Sequence, residues 1–376
     1  MRNVVIAQTS VVTSVGTDMD TTFQSFLNSR PGIIKNDRYS TKNYRSDYAA
    51  LIKEIETPEN RSSLLNLTDL IIKQLNDIPE DSLLLASTAQ GCVDLFEKNE
   101  KNQCPINKLS LPSGIPNYIA EKLNLQDKGM NINSACASPT IAIIKGTQMI
   151  KSKRADSVLI FCADIVSEFV FSGFSSLNAI SDKPTRPFDI KRDGMSLGEG
   201  GAAILLMDEE LARKNSINYN TSIAGFGIAS DATHITAPAP DGCGLIIAIR
   251  NALKTAKITP DNIGAINTHG TGTIYNDSME IEALSTVFQD ITIPGNSIKG
   301  SIGHTMGGAG GIEAAIGTLM LKERILPGTH GFSDPEKGAE NLISKDNVSF
   351  DKEYLLSTNS GFAGTNAALV LKRINC

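Results

Sequence analysis

The segment Asn131–Thr140 places a cysteine, Cys136, at the junction of two different secondary-structure patterns. A strand-like run ends at Asn133, and a helical pattern begins after Ser138. We expect Ser138 to be the N-cap residue of this helix and Pro139 to occupy its first helical position. Because a helix N-terminus lowers the pKa of a nearby thiol, this position favours a reactive thiolate. Cys136 is therefore the candidate nucleophile.

The other five cysteines are spread singly along the chain, which is typical of ordinary structural thiols. They are Cys92, Cys104, Cys162, Cys243 and Cys376. No C-x-x-C pair occurs, and no histidine lies near a cysteine at ligand spacing. We therefore expect neither a metal site nor a disulfide framework.

Two of the four histidines lie in glycine-flanked loops at strand ends, where α/β folds place catalytic groups. His269 directly follows a predicted strand and precedes Gly-Thr-Gly. His304 lies within a segment in which six of the twelve residues Gly300–Gly311 are glycine, and it leads into a helical pattern. The other two, His234 and His330, have no such setting.

One cysteine and two neutral histidines suit thioester chemistry. The cysteine can hold an acyl group, and the two histidines can donate Nε2 hydrogen bonds to a thioester enolate. A cysteine protease or other cysteine hydrolase is the rival class, and it would need one histidine as base and an Asn or Asp to orient that base. The residue types leave both alternatives open.

The elements that must position these residues alternate between strand and helix, which predicts an α/β protein with largely buried strands. The predicted strands are Val4–Ala7, Leu83–Ser87, Met130–Asn133, Val158–Phe161, Ala202–Met207, Ile263–Asn267 and Ala367–Leu371. The predicted helices are Pro139–Lys151, Leu245–Lys257, Ser278–Gln289 and Ile312–Lys322.

The two halves of the chain also resemble each other. Gly201–Met207 is similar to Asn366–Lys372, and Asp81–Thr88 is similar to Asp261–Thr268. Because the two pairs occur in the same order at similar offsets, they favour a duplicated α/β unit. The junction is expected near Asp208–Asn220, which predicts an N-terminal half, residues 1–210, that carries the cysteine. The C-terminal half, residues 211–376, would carry both histidines.

Composition sets the broad class. The chain has 376 residues, a formal net charge of −6 and 41% hydrophobic residues, with 20% charged residues. This is an ordinary globular mixture, and it excludes collagen, coiled coil and disorder. The acidic balance does not favour nucleic acid as a partner. No secretory leader or membrane span is recognisable, so we expect a cytoplasmic protein. Nucleotide-binding fingerprints and a G-x-S-x-G elbow are also absent.

Seven motifs in order resemble the β-ketoacyl-acyl-carrier-protein synthases, specifically the synthase I/II branch of the thiolase-like superfamily. The matching stretches are Val4–Gly16, Ser134–Ala137, Thr185–Ala202, Ser230–His234, the loops of His269 and His304, and Asn359–Asn366. The resemblance implies a thiolase-like fold, in which a duplicated βαβαβαββ unit forms five layers, α-β-α-β-α.

The resemblance also implies roles for five residues. Cys136 would accept the acyl chain from its carrier protein. His269 and His304 would stabilise the enolate that forms when the malonyl unit loses CO₂. Lys299 would set the electrostatics of the site, paired with Glu313.

Four further residues are implied in substrate binding. The backbone N–H of Phe362, with that of Cys136, would form the oxyanion hole, and the Phe362 ring would be the gate to the acyl pocket. Thr271, Thr273 and Ala363 would complete the binding surface. Ala363 replaces a customary glycine, and because alanine requires a negative φ more strictly, we expect the gate loop to move less.

The implied activity is decarboxylative condensation of a carrier-bound acyl chain with malonyl-acyl carrier protein, with no organic cofactor or metal. Lys191 and Arg192 are the expected docking residues for the acidic carrier. A homodimer, or a heterodimer with a related ketosynthase-like subunit, is also implied. The region from Ile34 to Pro79 is shorter than usual for the family, and Ser138-Pro139 follows the nucleophile where Thr-Ser is commoner. Together with Ala363, these departures favour a specialised polyketide or polyene enzyme. The alternatives are a non-catalytic, chain-length-factor-like scaffold and a cysteine hydrolase.

Overall fold

A computed structural model describes residues 2–56, 61–102 and 108–374. Its strands are β1 (Val4–Thr13), β2 (Ile34–Lys35), β3 (Tyr48–Ala50), β4 (Leu83–Ser87), β5 (Met130–Asn131), β6 (Ser157–Asp164), β7 (Leu197–Gly198), β8 (Gly200–Asp208), β9 (Thr221–Ser230), β10 (Ile263–Asn267), β11 (Gly295–Asn296), β12 (Ile325–Leu326), β13 (Val348–Ser349), β14 (Tyr354–Gly361) and β15 (Thr365–Arg373). Its helices are α1 (Met19–Leu27), α2 (Ser63–Ile72), α3 (Val93–Asn102), α4 (Gly114–Lys122), α5 (Ser138–Lys151), α6 (Glu168–Ser176), α7 (Glu209–Lys214), α8 (Cys243–Ala256), α9 (Ile274–Phe288), α10 (Lys299–Ile302) and α11 (Ala309–Glu323).

Ten strands form one sheet whose two halves repeat the same order. From the centre outward, one half runs β1-β8-β6-β4-β5 and the other runs β9-β15-β14-β10-β11. The strand directions also match, because in each half the first two pairings are antiparallel and the last two are parallel. The halves meet through a single antiparallel pair, Val5 and Ser222. The similar segments of the sequence fall on equivalent strands, β8 with β15 and β4 with β10.

The helices divide the structure into five layers. The long helices α5 and α11 pack against each other between the two halves of the sheet. Helices α2 and α4 cover the outer face of the first half, and α8 and α9 cover the outer face of the second. This arrangement confirms the predicted duplicated fold with α-β-α-β-α layers. The boundary near residue 210 stays a prediction, and α7 with the start of β9 lies there.

Strand β6 shows why the sequences of the core strands are continuous runs of apolar or small residues. Val158, Ile160 and Cys162 belong to the central cluster with α5 and α11, whereas Leu159 and Phe161 belong to the outer cluster with α2 and α4. Because successive side chains point to opposite faces and both faces are covered by helices, every position must be apolar or small.

All seven predicted strands and all four predicted helices are present; β4 and β10 have the predicted bounds, and the other elements have shifted ends. Helix α9 begins at Ile274, four residues before the predicted start, and α11 begins at Ala309 rather than Ile312. The strands that were not predicted from the sequence are β2, β3, β7, β9, β11, β12, β13 and β14, and the helices that were not predicted are α1, α2, α3, α4, α6, α7 and α10. Strand β14 was missed because its second half, from Ser357 to Gly361, is polar although most of it is buried. Those polar side chains belong to the site described next.

In the described ranges, no helix is long and apolar enough to cross a membrane. Within the same ranges, no group of three or more His, Cys, Asp and Glu side chains is placed to hold a metal ion.

Candidate active site

Cys136 lies in a tight elbow between β5 and the N-terminus of α5. Its neighbour Ala135 adopts a left-handed φ of 49°, and Ala137, not Ser138, is the N-cap residue. The expected N-cap was therefore wrong by one position. The Ser138 hydroxyl instead accepts from the backbone N–H of Ser134 at 2.6 Å and donates to the carbonyl of Ala135. The serine thus stabilises the turn that presents the thiol, and α5 begins directly behind it.

His304 is held by strand-like hydrogen bonds on both sides of its backbone. Its N–H donates to the carbonyl of Ser196 at 2.7 Å, and its carbonyl accepts from Gly198 at 3.0 Å. The backbone N–H of Met306 lies 3.4 Å from Nδ1 of the imidazole. Because an N–H group donates to Nδ1, the ring carries its proton on Nε2. That Nε2 atom is buried and has no protein partner.

The turn after His304 is fixed by a buried carboxylate. Asp164 accepts from the backbone N–H of Gly307 at 2.6 Å and from that of Ala89 at 3.0 Å. It also accepts from the hydroxyl of Thr88 at 2.7 Å. Burial raises the pKa of Asp164 to about 6, against the opposing effect of these hydrogen bonds. Asp164 therefore links the loop after β4 to the loop that carries the second histidine.

The loop of His269 is held by two carboxylates of α9. Glu280 accepts from the backbone N–H groups of His269 at 2.8 Å and Gly270 at 2.6 Å. Asp277 accepts from the backbone N–H groups of Thr271 at 3.0 Å and Gly272 at 3.1 Å. Burial, with the charge of Asp277, raises the pKa of Glu280 to about 7. The loop backbone is thus ordered by side chains that follow it in the sequence.

The imidazole of His269 is oriented by Asn359 at the end of β14. The amide nitrogen Nδ2 of Asn359 lies 3.3 Å from Nδ1 of His269 and 2.6 Å from Oε2 of Glu313. The amide oxygen accepts from the hydroxyl of Thr140. Because the carboxylate of Glu313 can only accept, the end of the amide that contacts it is the nitrogen, and this same nitrogen faces His269. Nδ1 of His269 is therefore an acceptor, and its proton is on Nε2.

Lys299 and Glu313 form a buried ion pair beneath the histidines. Their side chains are each 1% exposed, and Nζ of Lys299 contacts Oε1 of Glu313. The structure thus brings together the two residues that the resemblance paired. Glu313 uses its second oxygen for Asn359, so the pair is joined to His269 through one amide.

The two imidazoles stand edge to face, with ring centroids 5.1 Å apart and an interplanar angle of 87°. Burial lowers the pKa of both His269 and His304 well below the ordinary value, and the positive charge of Lys299 acts in the same direction. Both rings are therefore neutral near pH 7. Each offers one Nε2–H, which is the donor pattern required to stabilise a developing oxyanion.

The thiol of Cys136 differs from expectation. Burial raises its pKa to about 12, and the charge of Lys299 opposes this only in part. The predicted lowering by the helix N-terminus was wrong in its net direction, because the side chain is removed from water before any substrate binds. The resting site therefore contains a thiol and two neutral imidazoles.

One cavity of about 440 Å³ joins these groups. Cys136, His269 and His304 all line it, as do Thr271 and Thr273. The hydroxyls of the two threonines lie 2.9 Å apart, so they form a polar strip along one wall.

The ring of Phe362 closes one end of this cavity. Its centroid lies 5.9 Å from that of Phe174, and the two rings separate the cavity from an apolar groove of about 570 Å³. Gly361 lets this loop approach the elbow, since a Cβ there would lie 3.2 Å from the nitrogen of Cys136. The oxyanion hole formed by the N–H groups of Cys136 and Phe362 stays a prediction.

Two further expectations have different outcomes. Ala363 is exposed and is not among the residues that line the cavity, and it adopts a positive φ of 65° rather than the negative φ that alanine favours, so its part in substrate binding stays a prediction. The docking role of Arg192 was wrong. Arg192 cannot dock a carrier because its side chain is only 2% exposed. It donates to Glu336 at 2.6 Å and to the carbonyl of Ile274 at 3.1 Å. Lys191 is exposed but is paired with Asp334.

Several residues that position the site were not predicted from the sequence. They are Asp164, Asp277, Glu280 and Asn359. Asn359 is the first residue of the motif Asn359–Asn366. Asp277 and Glu280 stand three residues apart shortly after the His269 loop, and this pair of carboxylates was the sequence signal that could have identified them. His234, given no role, lies among the residues that line the cavity, whereas His330 lies beside a different pocket. Cys104 and Cys376 lie outside the described residues.

The fold and this cysteine–histidine–histidine site together define the class of thiolase-like ketosynthases. Two family models match the chain, the N-terminal domain of beta-ketoacyl synthase over residues 83–212 and its C-terminal domain over residues 221–333. The chain belongs to the beta-ketoacyl synthase family. This confirms the resemblance stated from the motifs.

Curated relatives match over nearly the whole length. The chain is 29% identical over 410 residues to 3-oxoacyl-[acyl-carrier-protein] synthase 2 of Vibrio harveyi, and this alignment covers 99% of each chain. It is 28% identical to the synthase 2 of Staphylococcus aureus strain COL, which covers 99% of this chain and 98% of the relative. The first alignment is longer than the present chain, so that relative contains residues that this chain lacks.

Solved structures agree on the fold. A beta-ketoacyl synthase from Burkholderia phymatum STM815 superposes with a TM-score of 0.86 at 26% identity, over the full length of both chains. The ishigamide ketosynthase/chain length factor superposes with a TM-score of 0.90 at 24% identity, also over both full lengths. These similarities confirm the thiolase-like architecture.

Proposed function

We propose that the protein is a β-ketoacyl-acyl-carrier-protein synthase that condenses a Cys136-bound acyl chain with malonyl-acyl carrier protein in fatty-acid or polyketide elongation. One observation carries the proposal. His269 and His304 both accept a hydrogen bond at Nδ1, so both have Nε2–H groups free to serve the cavity that Cys136 shares. Two neutral donors beside a buried thiol suit the formation and capture of a thioester enolate.

In the first step, the acyl chain moves from the carrier to the enzyme. The sulfur of Cys136 attacks the thioester carbonyl, a new thioester forms, and the carrier thiol leaves with the proton that Cys136 gives up. Because burial raises the pKa of Cys136, this proton must move as the sulfur attacks. The charge of Lys299 and the N-terminus of α5 favour the sulfur anion that develops.

In the second step, malonyl-acyl carrier protein loses CO₂. The bond between the carboxylate carbon and Cα breaks, and its electron pair moves into an enolate whose oxygen is the thioester oxygen. The Nε2–H groups of His269 and His304 stabilise that oxygen. Protonated histidines are not required, and the lowered pKa of each ring keeps it in the neutral form.

In the third step, Cα of the enolate attacks the acyl carbonyl on Cys136. A carbon–carbon bond forms, the bond from carbonyl carbon to sulfur breaks, and Cys136 leaves as the sulfur anion. The first proton of Cys136 left with the carrier thiol, so this anion takes a new proton from water, and the cycle ends with a β-ketoacyl-acyl carrier protein, CO₂ and the original thiol. No external oxidant or cofactor is needed.

Carrier and oligomer follow from this reaction and from the similar proteins. One similar structure is of a type II polyketide acyl-carrier protein in complex with its ketosynthase, and another is of a ketosynthase with its chain length factor. We propose that this chain uses an acyl carrier protein and forms a homodimer or a heterodimer with a related subunit, in the cytoplasm.

The test measures both half-reactions. Purified protein is supplied with acyl- and malonyl-acyl carrier protein, and the β-ketoacyl product is detected by mass spectrometry. Cys136→Ala should abolish acyl transfer while the protein stays folded, and His269→Ala or His304→Ala should strongly reduce ¹⁴CO₂ release. Condensation by Cys136→Ala, or unchanged CO₂ release by both histidine variants, would refute the proposal.

The direction of one hydrogen bond, between Asn359 and His269, disfavours a cysteine hydrolase. In a hydrolase triad the orienting residue accepts a hydrogen bond from Nδ1–H of the histidine, whereas the amide N–H of Asn359 donates a hydrogen bond to Nδ1 of His269. A non-catalytic scaffold remains the second candidate, because similar structures pair a ketosynthase with a chain length factor. A scaffold has no need of Cys136, so acyl loading of this residue separates the two roles.

A further inference from the structure

A second cavity, of about 540 Å³, lies where the two halves of the sheet meet. Among the described residues it shares none with the lining of the active-site cavity. Strands β1 and β9 pair only at Val5 and Ser222, and beyond this pair residues 6–9 and 218–220 line the cavity. A register irregularity in the same stretch of β1 is the kind of bulge that ends strand pairing. The volume is in the range of pockets that hold small organic ligands.

One wall of this cavity carries an arginine whose side chain has no partner. Arg373 ends β15 and lines the cavity, and its Nη1 atom is buried without a hydrogen bond. No ion pair joins Arg373 to any other part of the chain that the structure describes. The described lining also contains no Asp or Glu. Because a guanidinium stays protonated and a buried N–H group without a partner costs free energy, this wall favours an oxyanion.

Two further groups add to the attraction for an anion. Lys322, on α11, lines the cavity, and its contact with Glu323 at 3.4 Å joins two exposed side chains, so it neutralises little of the positive charge. The side-chain oxygen of Asn220 accepts from the hydroxyl of Thr221 at 2.9 Å. The amide nitrogen of Asn220, which also lines the cavity, is therefore the end that can donate to a ligand.

The rest of the lining includes apolar side chains from several elements. Ile6 belongs to the central core, Met19 and Leu319 pack against that core, and Ile374 packs against the cluster that contains Ala7. An inorganic ion would leave these side chains in contact with water, whereas a hydrocarbon body would cover them. The lining therefore fits a ligand that has both an anionic head and an apolar body.

We propose that this cavity binds a small amphipathic anion. Its carboxylate or phosphate head contacts Arg373 and Lys322, and its hydrocarbon body packs on Ile6, Met19 and Leu319. The inference goes beyond the proposed function and does not depend on it.

The cavity and the active site lie at opposite ends of α11. Glu313, near the start of the helix, contacts Lys299, and Lys322, near its end, lines the cavity. Glu313 and Lys322 are about 13 Å apart along the helix axis. A ligand in this cavity therefore leaves the active-site cavity open, and its binding can be measured whether or not the protein condenses thioesters.

The experiment titrates the full chain with amphipathic probes in a calorimeter. Octanoate and octyl phosphate carry the two possible heads on the same tail, and their affinities distinguish a carboxylate from a phosphate. Octylammonium has the same tail with the opposite charge, and inorganic phosphate has the head without the tail. We expect at least one of the two amphipathic anions to bind about tenfold or more tightly than either of these controls.

Variants assign the binding to this cavity. Arg373→Met removes the guanidinium and should weaken binding of the preferred anion about tenfold or more, the loss typical of a charged hydrogen-bond donor. Lys322→Met changes an exposed side chain and should weaken binding about threefold. Arg250→Met is the matched control, because Arg250 is an exposed arginine on α8 that does not line the cavity, and it should bind as wild type does. Thermal unfolding without probe checks that each variant is folded, and Lys322→Met carries the test where Arg373→Met is not.

A crystal structure with the preferred anion labelled with bromine on its tail locates the probe by anomalous scattering. Bromine density against Ile6 and Leu319 is the expected result, and density only in the active-site cavity overturns the proposal. It is also overturned if Arg373→Met and Lys322→Met both bind the anion as wild type does. The same holds if octylammonium or inorganic phosphate binds as tightly as both amphipathic anions, or if neither anion binds at concentrations up to about 10 mM.

Discussion

The side-chain amide of Asn359 donates to Nδ1 of His269 across a distance of 3.3 Å. The two residues are 90 positions apart in the chain and meet because β10 and β14 are adjacent parallel strands. The same amide nitrogen contacts Glu313, which pairs with Lys299. One hydrogen bond therefore sets the tautomer of a catalytic imidazole and links it to the buried ion pair.

Replacing Asn359 with aspartate tests this relationship. The carboxylate of Asn359→Asp can only accept, so it would draw the proton of His269 to Nδ1 and remove the Nε2–H that faces substrate. We expect ¹⁴CO₂ release to fall about 10²–10³-fold, the loss typical of one oxyanion donor. Acyl loading of Cys136, followed by mass spectrometry, should continue. Equal loss of both half-reactions would indicate a general structural defect instead.

Replacing only one partner of the Lys299–Glu313 ion pair is expected to lower the unfolding free energy of the protein. Lys299→Met leaves the carboxylate of Glu313 buried without its partner charge, and Glu313→Gln leaves the ammonium group of Lys299 in the same state. Each single variant should therefore lose about 3–5 kcal/mol of unfolding free energy. The double variant removes both charges and should recover most of that loss. Urea denaturation measures the cycle, and additive losses in the double variant would contradict it.

The thiol of Cys136 should titrate at unusually high pH. Since burial raises its pKa to about 12, the thiolate fraction increases about tenfold per pH unit through the accessible range. Alkylation by iodoacetamide should therefore accelerate from pH 7 to pH 10 without a plateau. Lys299→Met removes the charge that favours the thiolate and should slow alkylation further. A plateau near pH 8 would show that the helix N-terminus dominates.

We expect activity to fall in mild acid because Asp164 becomes protonated there. Its pKa is raised to about 6, so the carboxyl becomes protonated as the pH falls through that value. A protonated carboxyl accepts more weakly, and its own O–H faces the donors Thr88, Ala89 and Gly307, so the hydrogen bonds that anchor the loop of His304 weaken. CO₂ release should therefore decline below about pH 6 with kcat affected more than KM.

The Asp164→Asn variant is the control for this assignment. Its amide retains the shape of the carboxyl but supplies a donor where the backbone supplies donors too. We expect low kcat at every pH and no step near pH 6. A wild-type step that persists in Asp164→Asn would assign the titration to another group.

Ala363 is in the left-handed region at φ 65°, where alanine costs about 1–2 kcal/mol relative to glycine. Ala363→Gly should relieve that strain and, after the entropy gained by the unfolded chain, raise stability by up to about 1 kcal/mol. Ala256→Gly, within α8, should lower stability by about 1 kcal/mol. Thermal unfolding of the two variants checks the sign, and destabilisation by Ala363→Gly would contradict the strain.

The sequence by itself determined the fold class, the family and the residues that can do the chemistry. Buried strands need apolar side chains on both faces, so local sequence patterns were enough to predict β4, β6, β8, β10 and β15. Cys136, His269 and His304 stand in turns whose glycines and helix starts are also local features.

Only the tertiary structure decided how those residues behave. Asn359 and Asp164 act through partners more than 70 positions away in the chain, and no local pattern records such a contact. Burial, which depends on the whole molecule, raised the pKa of Cys136 and removed Arg192 from the surface. The same packing left Ile235 and Tyr275 exposed beside the cavity, because long-range contacts determine which apolar side chains stay in water.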